Sequence, residues 1–318
     1  MLLTQLEYFV AVAREQHFGR AAAACHVSPS GLSEAIRKLE VELRVPLVRR
    51  GRAFEGLTPE GDLVLLWARR MLADHRHLRD ELDLARAELS TTLRLGVIPS
   101  AVPHAADLVT ELIDAHPLLR VEIRTGLATE QILAGLRAYD LDAGLVHPVD
   151  ATDLALTPLS RDRLVAVGLP ERFEGVGTIS GTDLAELPLA LLSPTMQARR
   201  DLDAAFADHG LRLTPRVEAD SVEALVDLGR AGRWVAVVPA LEARARPGLR
   251  VAVLEAPRVE ITVALARLAE GPRSPVAAAV VTAAAGTTGR RRLRRSAGDP
   301  APGPRTRTGQ QQSDRGCG

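Results

Sequence analysis

Ser28, Ser30, Gly31, Ser33, Glu34, Arg37 and Lys38 fall in one short stretch, "SPSGLSEAIRK", with a distinctive chemical pattern. A helix start at Ser28–Ser30 offers unpaired N–H groups to a phosphate. Small side chains at Ser30, Gly31 and Ser33 let a helix backbone come close to base edges. Arg37 and Lys38 can neutralise phosphates or reach a guanine, and Glu34 can accept from a cytosine amine while repelling phosphate. Downstream, "RRGRAFEG" places Arg50 and Arg52 around Gly51 in a basic hairpin. The same face also suits the solvated side of an ordinary αα-hairpin, and these residues alone leave both readings open.

The elements needed to hold this face can be read from the pattern. Leu6, Phe9, Val10 and Ala13 make one apolar stripe of a first helix, with capping-box spacing at Thr4-Gln5-Leu6-Glu7. A second short helix is expected over roughly Arg20 to Cys25. Ser28 then caps a third, with Pro29 at its first position, where the missing N–H costs nothing. In that third helix Leu32, Ile36, Leu39 and Leu43 recur at helical spacing and must face a core, and Pro46 ends it. Thr58-Pro59 repeats the device and starts a helix running to about Leu89 or Ser90, about 45 Å at 1.5 Å per residue. Val64, Trp67, Met71, Leu78, Leu82, Ala85 and Leu89 fall near a three-four repeat on it, broken at Asp74, and a second copy is the simplest partner for that stripe.

From Thr92 the period changes. "LRLGVI" (93–98), "LRVEIR" (119–124), "DAGLVH" (142–147), "RLVAVGL" (163–169), "LALLS" (189–193), "WVAVVP" (234–239) and "VEITVALARL" (259–268) read as strands. Helical stretches at about 103–115, 129–138, 197–209 and 221–231 separate most of them, which implies α/β layers around mostly parallel sheets. In open sheets of this kind ligands sit beyond the carboxyl ends of strands, where helix N-termini point inward. Ser100, Thr129, His147 and the loop Ser193-Pro194-Thr195-Met196 occupy such positions. Each taken alone reads first as a helix cap, and a hinge histidine such as His147 is at least as often structural; their convergence is what argues for a binding site. Hydroxyls and helix N-termini suit a small ligand, with an anion among the candidates.

Composition excludes several classes. The formal charge of zero conceals a tail, residues 286–318, with eight arginines against two aspartates and almost nothing apolar, read as disordered. A solvated extension is the plainer reading of that tail; salt-sensitive attraction to DNA is the other. The N-terminus does not resemble a signal peptide, and no apolar run approaches the ~20 residues of a membrane span. The two cysteines, Cys25 and Cys317, lie far apart, so a disulfide framework is not expected and a reducing cytoplasm fits. Cys25 reads as a small core residue. His75 and His77 do not face one another on a helix, and no metal site is expected. No GxxxxGK[ST], GxGxxG after a strand, HExxH or GxSxG is present, so no catalytic residue and no cofactor is assigned and the chain is not read as an enzyme.

With these segments in order, the chain from about Leu3 to about Ala285 resembles the LysR-type transcriptional regulators, most strongly in "LEYFVAVAREQHFGRAAAACHVSPSGLSEAIRKLEVELRVPLVRR…LTPEG". The resemblance implies an N-terminal all-α winged helix-turn-helix (1–58) whose third helix enters the major groove, and a linker and dimerisation helix (59–90). It further implies a two-lobed α/β effector domain like a periplasmic solute receptor (91–285). Lobe I is expected at about 91–161 and 266–285, and lobe II at about 162–265. The partners implied are double-stranded DNA, a small effector between the lobes, and a second or fourth copy of the chain. Ser100, Thr129 and the 193–196 loop fall where the family contacts its co-inducer.

Departures limit the detail. Family members commonly carry Gln-Pro where Pro29-Ser30 stands, often Arg at Glu34, a Ser or Thr cap at Gly19, and Gly at Arg44. A left-handed Arg44 would cost roughly 1 kcal/mol. Trp234 replaces a usual glycine and either narrows the pocket or covers the sheet. The cysteine pair of peroxide-sensing members is missing from the effector domain. Two other classes compete: an effector-independent DNA-binding protein whose α/β domain only assembles oligomers, and an enzyme or solute receptor with a helical appendage.

Overall fold

Phe9, Val12, Leu32, Ile36 and Leu39 are fully buried together, which is what the helical spacing of apolar residues in the first segment requires. The computed structural model describes residues 1–50, 54–85, 89–173, 177–244, 248–269 and 275–285. The head is α1 (Leu3–Glu15), α2 (Phe18–Ala24) and α3 (Pro29–Leu43), followed by the paired strands β1 (Val48–Arg50) and β2 (Phe54–Leu57). Gln5, rather than Thr4, serves the first turn of α1: its side-chain oxygen accepts from the Leu2 N–H at 2.8 Å. The second helix starts two residues earlier than expected, because the His17 ring accepts from the N–H groups of Gly19 and Arg20 at 3.0 and 3.2 Å. An imidazole cap thus stands in for the hydroxyl that Gly19 lacks. Ser28 caps α3 through the Gly31 N–H at 3.1 Å, and Arg44 ends it in the left-handed region at φ 57°.

Thr58 accepts from the Gly61 N–H and starts α4 (Pro59–Ala85). Gly61 packs directly on the Leu47 carbonyl; a Cβ there would lie 2.1 Å from that oxygen. The first half of α4 buries Ala68 and Leu72 against the head core, while Leu63, Leu66, Trp67, Met71, Leu78 and Leu82 stay exposed. Further along, Asp80 is buried, and Arg69 meets Asp140 at 3.6 Å, a polar contact between the helix and the following domain.

That domain continues with β3 (Thr92–Val97), α5 (Val102–Ala115), β4 (Arg120–Arg124), α6 (Thr129–Arg137), β5 (Ala143–Val146) and β6 (Leu154–Gly168). Next come β7 (Thr178–Ile179), α7 (Gly181–Glu186), β8 (Leu189–Leu192), α8 (Gln197–Ala207), β9 (Val217–Ala219) and α9 (Val222–Arg230). The last are β10 (Val235–Pro239), α10 (Ala240–Arg244), β11 (Arg250–Leu254), β12 (Glu260–Leu268) and a helix α11 over 275–285. The strands run β4-β3-β5-β12-β6-β10-β8-β9, with β11 beside β6 and β7 beside β11.

Within each half the neighbours β4-β3-β5 and β10-β8-β9 are parallel, but β12 and β6 lie antiparallel to theirs. The sheet is therefore mixed, because β6 carries the chain from one lobe to the other and β12 brings it back. Two separate cores result. Leu93, Leu95, Ile132, Leu145 and Leu265 belong to lobe I; Val165, Leu191, Phe206, Val235 and Ile261 belong to lobe II. Since Val263 and Leu265 already pack in lobe I, the return crossing lies near Thr262 rather than at 265/266. Trp234 packs on the lobe II core under Arg233, whose guanidinium sits 5.2 Å from the ring. It covers the sheet and does not line the cleft described below. Residues 286–318, including Cys317, lie outside the described residues, as do Gly51 and Arg52.

Candidate functional site

The exposed side of α3 presents Ser30, Gly31, Glu34, Arg37 and Lys38 to solvent, with Ser33 half-buried beside them. Leu32, Ile36 and Leu39 anchor the opposite side in the core. Arg37 bonds Glu34 one turn back, Nε to Oε2 at 3.1 Å, so the guanidinium is held along the helix surface. Ser28, exposed at the helix start, lies 3.3 Å from Ser30 by their hydroxyl oxygens, and its oxygen is already engaged as the cap. Arg50 lies at the end of β1, its side chain outside the described residues; Arg49 on the same strand is exposed and was not singled out by the sequence.

A second constellation lies between the lobes. A tight cleft, with a cavity of only about 10 Å³, is lined by Ser100, Thr129 and His147 on one wall and Leu192, Met196 and Gln197 on the other. Local structure explains the convergence. Ser100 sits in the single 3-10 turn Pro99–Ala101 between β3 and α5, Thr129 opens α6, and His147 follows β5. All three side chains are buried. Met196 precedes α8 without capping it, and at the start of α6 the Gln131 side-chain oxygen accepts from the Ala128 N–H at 2.8 Å; the first residues of both helices line the cleft. Ser193 and Thr195 do not line it; their hydroxyls bond each other at 3.1 Å in the loop.

His147 makes three contacts. Its backbone N–H points to Thr129 Oγ1 at 3.4 Å, its Nδ1 lies 3.1 Å from the Thr262 carbonyl, and its Nε2 lies 3.3 Å from Ser100 Oγ. A carbonyl only accepts, so Nδ1 carries the proton. Burial pushes the ring below the ordinary imidazole value, against the smaller opposing effect of the Thr262 carbonyl, so the ring is neutral and Nε2 accepts from Ser100. At the mouth Arg200 of α8 bonds Glu130 of α6 at 2.8 Å, and also the Thr195 carbonyl and Gln197. The sequence pattern did not reveal this ion pair or Gln197, because the partners lie on different lobes. Among the described residues, no group of three or more His, Cys, Asp or Glu could hold a metal ion, and no helix is long and apolar enough to cross a membrane.

Residues 3–62 match the family model of the bacterial regulatory helix-turn-helix protein, lysR family, and residues 86–288 match the LysR substrate binding domain. The chain belongs to the LysR-type transcriptional regulators. It is a DNA-binding regulator of transcription with a winged helix-turn-helix head and a two-lobed effector-binding domain, and the domain match disfavours a purely oligomerising role for the α/β part. Among its relatives, the DNA-binding transcriptional dual regulator OxyR of Escherichia coli K12 is 30% identical over 244 residues, covering 76% of this chain and 80% of that protein. A probable hydrogen peroxide-inducible genes activator of Streptomyces viridosporus is 32% identical over 241 residues, 74% of this chain and 77% of the relative. A full-length OxyR variant from Pseudomonas aeruginosa superposes with a TM-score of 0.69 at 29% identity, covering 89% of this chain and 94% of that one. The LysR family regulator CbnR, at 21% identity and a TM-score of 0.65, shares the fold.

Unlike peroxide-sensing members of the family, this LysR-type chain has no cysteine between Cys25 and Cys317. Cys25 itself is half-buried against the head core, and burial pushes its thiol up.

Proposed function

We propose that this regulator reads an operator with the exposed face of α3 and responds to a compact ligand held reversibly between its lobes, not to thiol oxidation. The observation that carries this reading is the meeting of buried Ser100, Thr129 and His147 with Leu192, Met196 and Gln197 from the facing lobe around one cleft. The cleft is so tight that it favours a small ligand, admitted as the lobes part. Hydroxyls and the two helix N-termini at its edge favour one with oxygen acceptors. Ser30, Gly31 and Ser33 approach base edges, Arg37 and Lys38 meet phosphate or guanine, Glu34 tunes the choice of base, and Ser28 fixes the helix start. Arg50 and Arg52 add phosphate contacts from the wing.

The exposed stripe Leu63, Trp67, Met71, Leu78 and Leu82 pairs α4 with a second copy, in a dimer or a dimer of dimers acting in the cytoplasm. The working division is a head (1–58), an arm (59–90) and two lobes. The cleft binds rather than turns over: the third partner behind Ser100 and His147 is a backbone carbonyl, not the carboxylate that stabilises an imidazolium in hydrolases.

Melting curves against small acids, amides and hydroxylated compounds test the ligand reading, since a ligand of the native state must raise Tm. A compound that stabilises the wild type and loses its effect in Thr129→Val supports the cleft. One that stabilises both equally places the effector elsewhere.

A further inference from the structure

Two buried histidines of lobe I each hold one of the two strands that cross to lobe II. His147, on the cleft wall, meets the Thr262 carbonyl of β12 through Nδ1 at 3.1 Å, and Thr262 sits at the crossing itself, between Ile261 of the lobe II core and Val263 of the lobe I core. His104, one turn after Ser100 on α5, meets the Ser160 hydroxyl of β6 through Nε2. Ser160 and Val263 are register partners, and the ladder is irregular at that step: Val263 pairs Ser160 while Ala264 pairs Pro158. The two anchor points therefore lie on neighbouring residues of one strand pair, where the sheet passes from lobe to lobe.

We infer that His147 is a double-ended positioning residue that reports occupancy of the cleft to the interlobe hinge. Its Nδ1–H grips the Thr262 carbonyl while its Nε2 presents a lone pair to the cleft. His104 fixes the partner strand at Ser160. This rests on the reading of the cleft as the effector site and adds the route out of it.

The chemistry follows from the tautomer. With Nδ1–H committed to a carbonyl, Nε2 can only accept, and it accepts from Ser100. A ligand O–H or N–H that reaches Nε2 displaces the Ser100 hydroxyl, which is then free to donate to an acceptor on the same ligand. The ligand suited to this wall carries a donor beside an acceptor, as in a hydroxy acid or an amide; a bare anion would set its lone pairs against that of Nε2. Any turn of the ring that improves the ligand bond changes the Nδ1–H bond to Thr262, and the hinge with it.

The test needs no ligand. In full-length protein carrying ¹⁵N-histidine at pH 7.5, His147 should show a protonated Nδ1 and an unprotonated Nε2, the less common tautomer of free histidine; the opposite tautomer or a cation overturns the inference. Amide hydrogen exchange on the same protein gives the second reading. His147→Ala should speed exchange in peptides over 258–265 about fivefold, the loss of one buried hydrogen bond, while β8 and β10 in lobe II keep their protection. His147→Asn, whose amide N–H takes the place of Nδ1–H, should restore the slow rate. Unchanged hinge exchange in His147→Ala, or an equal rise throughout both lobes, contradicts the relay. The cleft as effector site stands or falls separately, on the melting curves with Thr129→Val.

Discussion

Glu34 and Arg37 form an ion pair along the exposed face of α3, Nε to Oε2 at 3.1 Å, so the acid that departs from the family pattern holds the cation proposed to meet DNA. Both side chains are well exposed, and such i,i+3 pairs contribute at most a fraction of a kcal/mol. The pair is weak enough to exchange for a phosphate or a guanine, yet Glu34 still lowers the positive potential where the backbone of DNA would pass.

Glu34→Gln should therefore strengthen binding to unrelated DNA severalfold and steepen its salt dependence, while narrowing the difference between operator and scrambled sequence. Competition titrations at two salt concentrations measure both. Equal affinities for wild type and variant would mean that Glu34 does not lie along the DNA.

Arg44 occupies the left-handed end of α3 at φ 57°, where its Cβ is crowded. Arg44→Gly should stabilise the head by about 1 kcal/mol, since glycine meets no such crowding there. Chemical denaturation followed by circular dichroism reads the change, and a lower midpoint would show that Arg44 makes compensating contacts.

Gly61 gives the opposite case. The backbone of α4 lies so close to the Leu47 carbonyl that a methyl group would sit 2.1 Å from the oxygen. Gly61→Ala should destabilise the head by about 2 kcal/mol or more, because the obstacle is backbone and cannot rotate away. A variant that melts with the wild type would contradict this packing.

Burial pushes His147 and His77 below the ordinary imidazole value of about 6.5. Between the depressed folded values and 6.5 the unfolded chain holds the additional proton, so stability is complete above that window and falls as the pH drops through it. Buried Asp80, raised above its ordinary carboxylate value, works in the opposite direction in more acid solution. Tm should fall between pH 7.5 and 5.5, and His147→Gln should flatten the slope. An identical slope in the variant would assign the effect to other groups.

Much of the fold could be read locally. Ser28-Pro29 and Thr58-Pro59 are complete start signals within a few residues, and both caps form. The His17 cap was hidden because an imidazole rarely plays that part, and Gly19 pointed to a later start. The first half of β6, "LALTPLSRD", did not read as a strand because Pro158, Ser160 and Asp162 break its pattern; the crossing between lobes, with an irregular register at Pro158, accommodates them. In the cleft, Ser100, Thr129 and His147 were visible because strand ends and helix starts are local features. The Arg200–Glu130 pair and the Thr262 carbonyl behind His147 were not, because each joins parts of the chain that only folding brings together.

Fluorescence anisotropy on DNA from immediately upstream of the chain's own gene tests most directly whether the exposed face of α3 reads DNA. The wild type should bind that DNA in preference to a scrambled competitor, and Arg37→Ala and Ser33→Ala should lose the preference while keeping the wild-type circular dichroism spectrum. Equal, weak binding to both DNAs, unchanged by either substitution, would contradict the account and leave this face as a solvated surface.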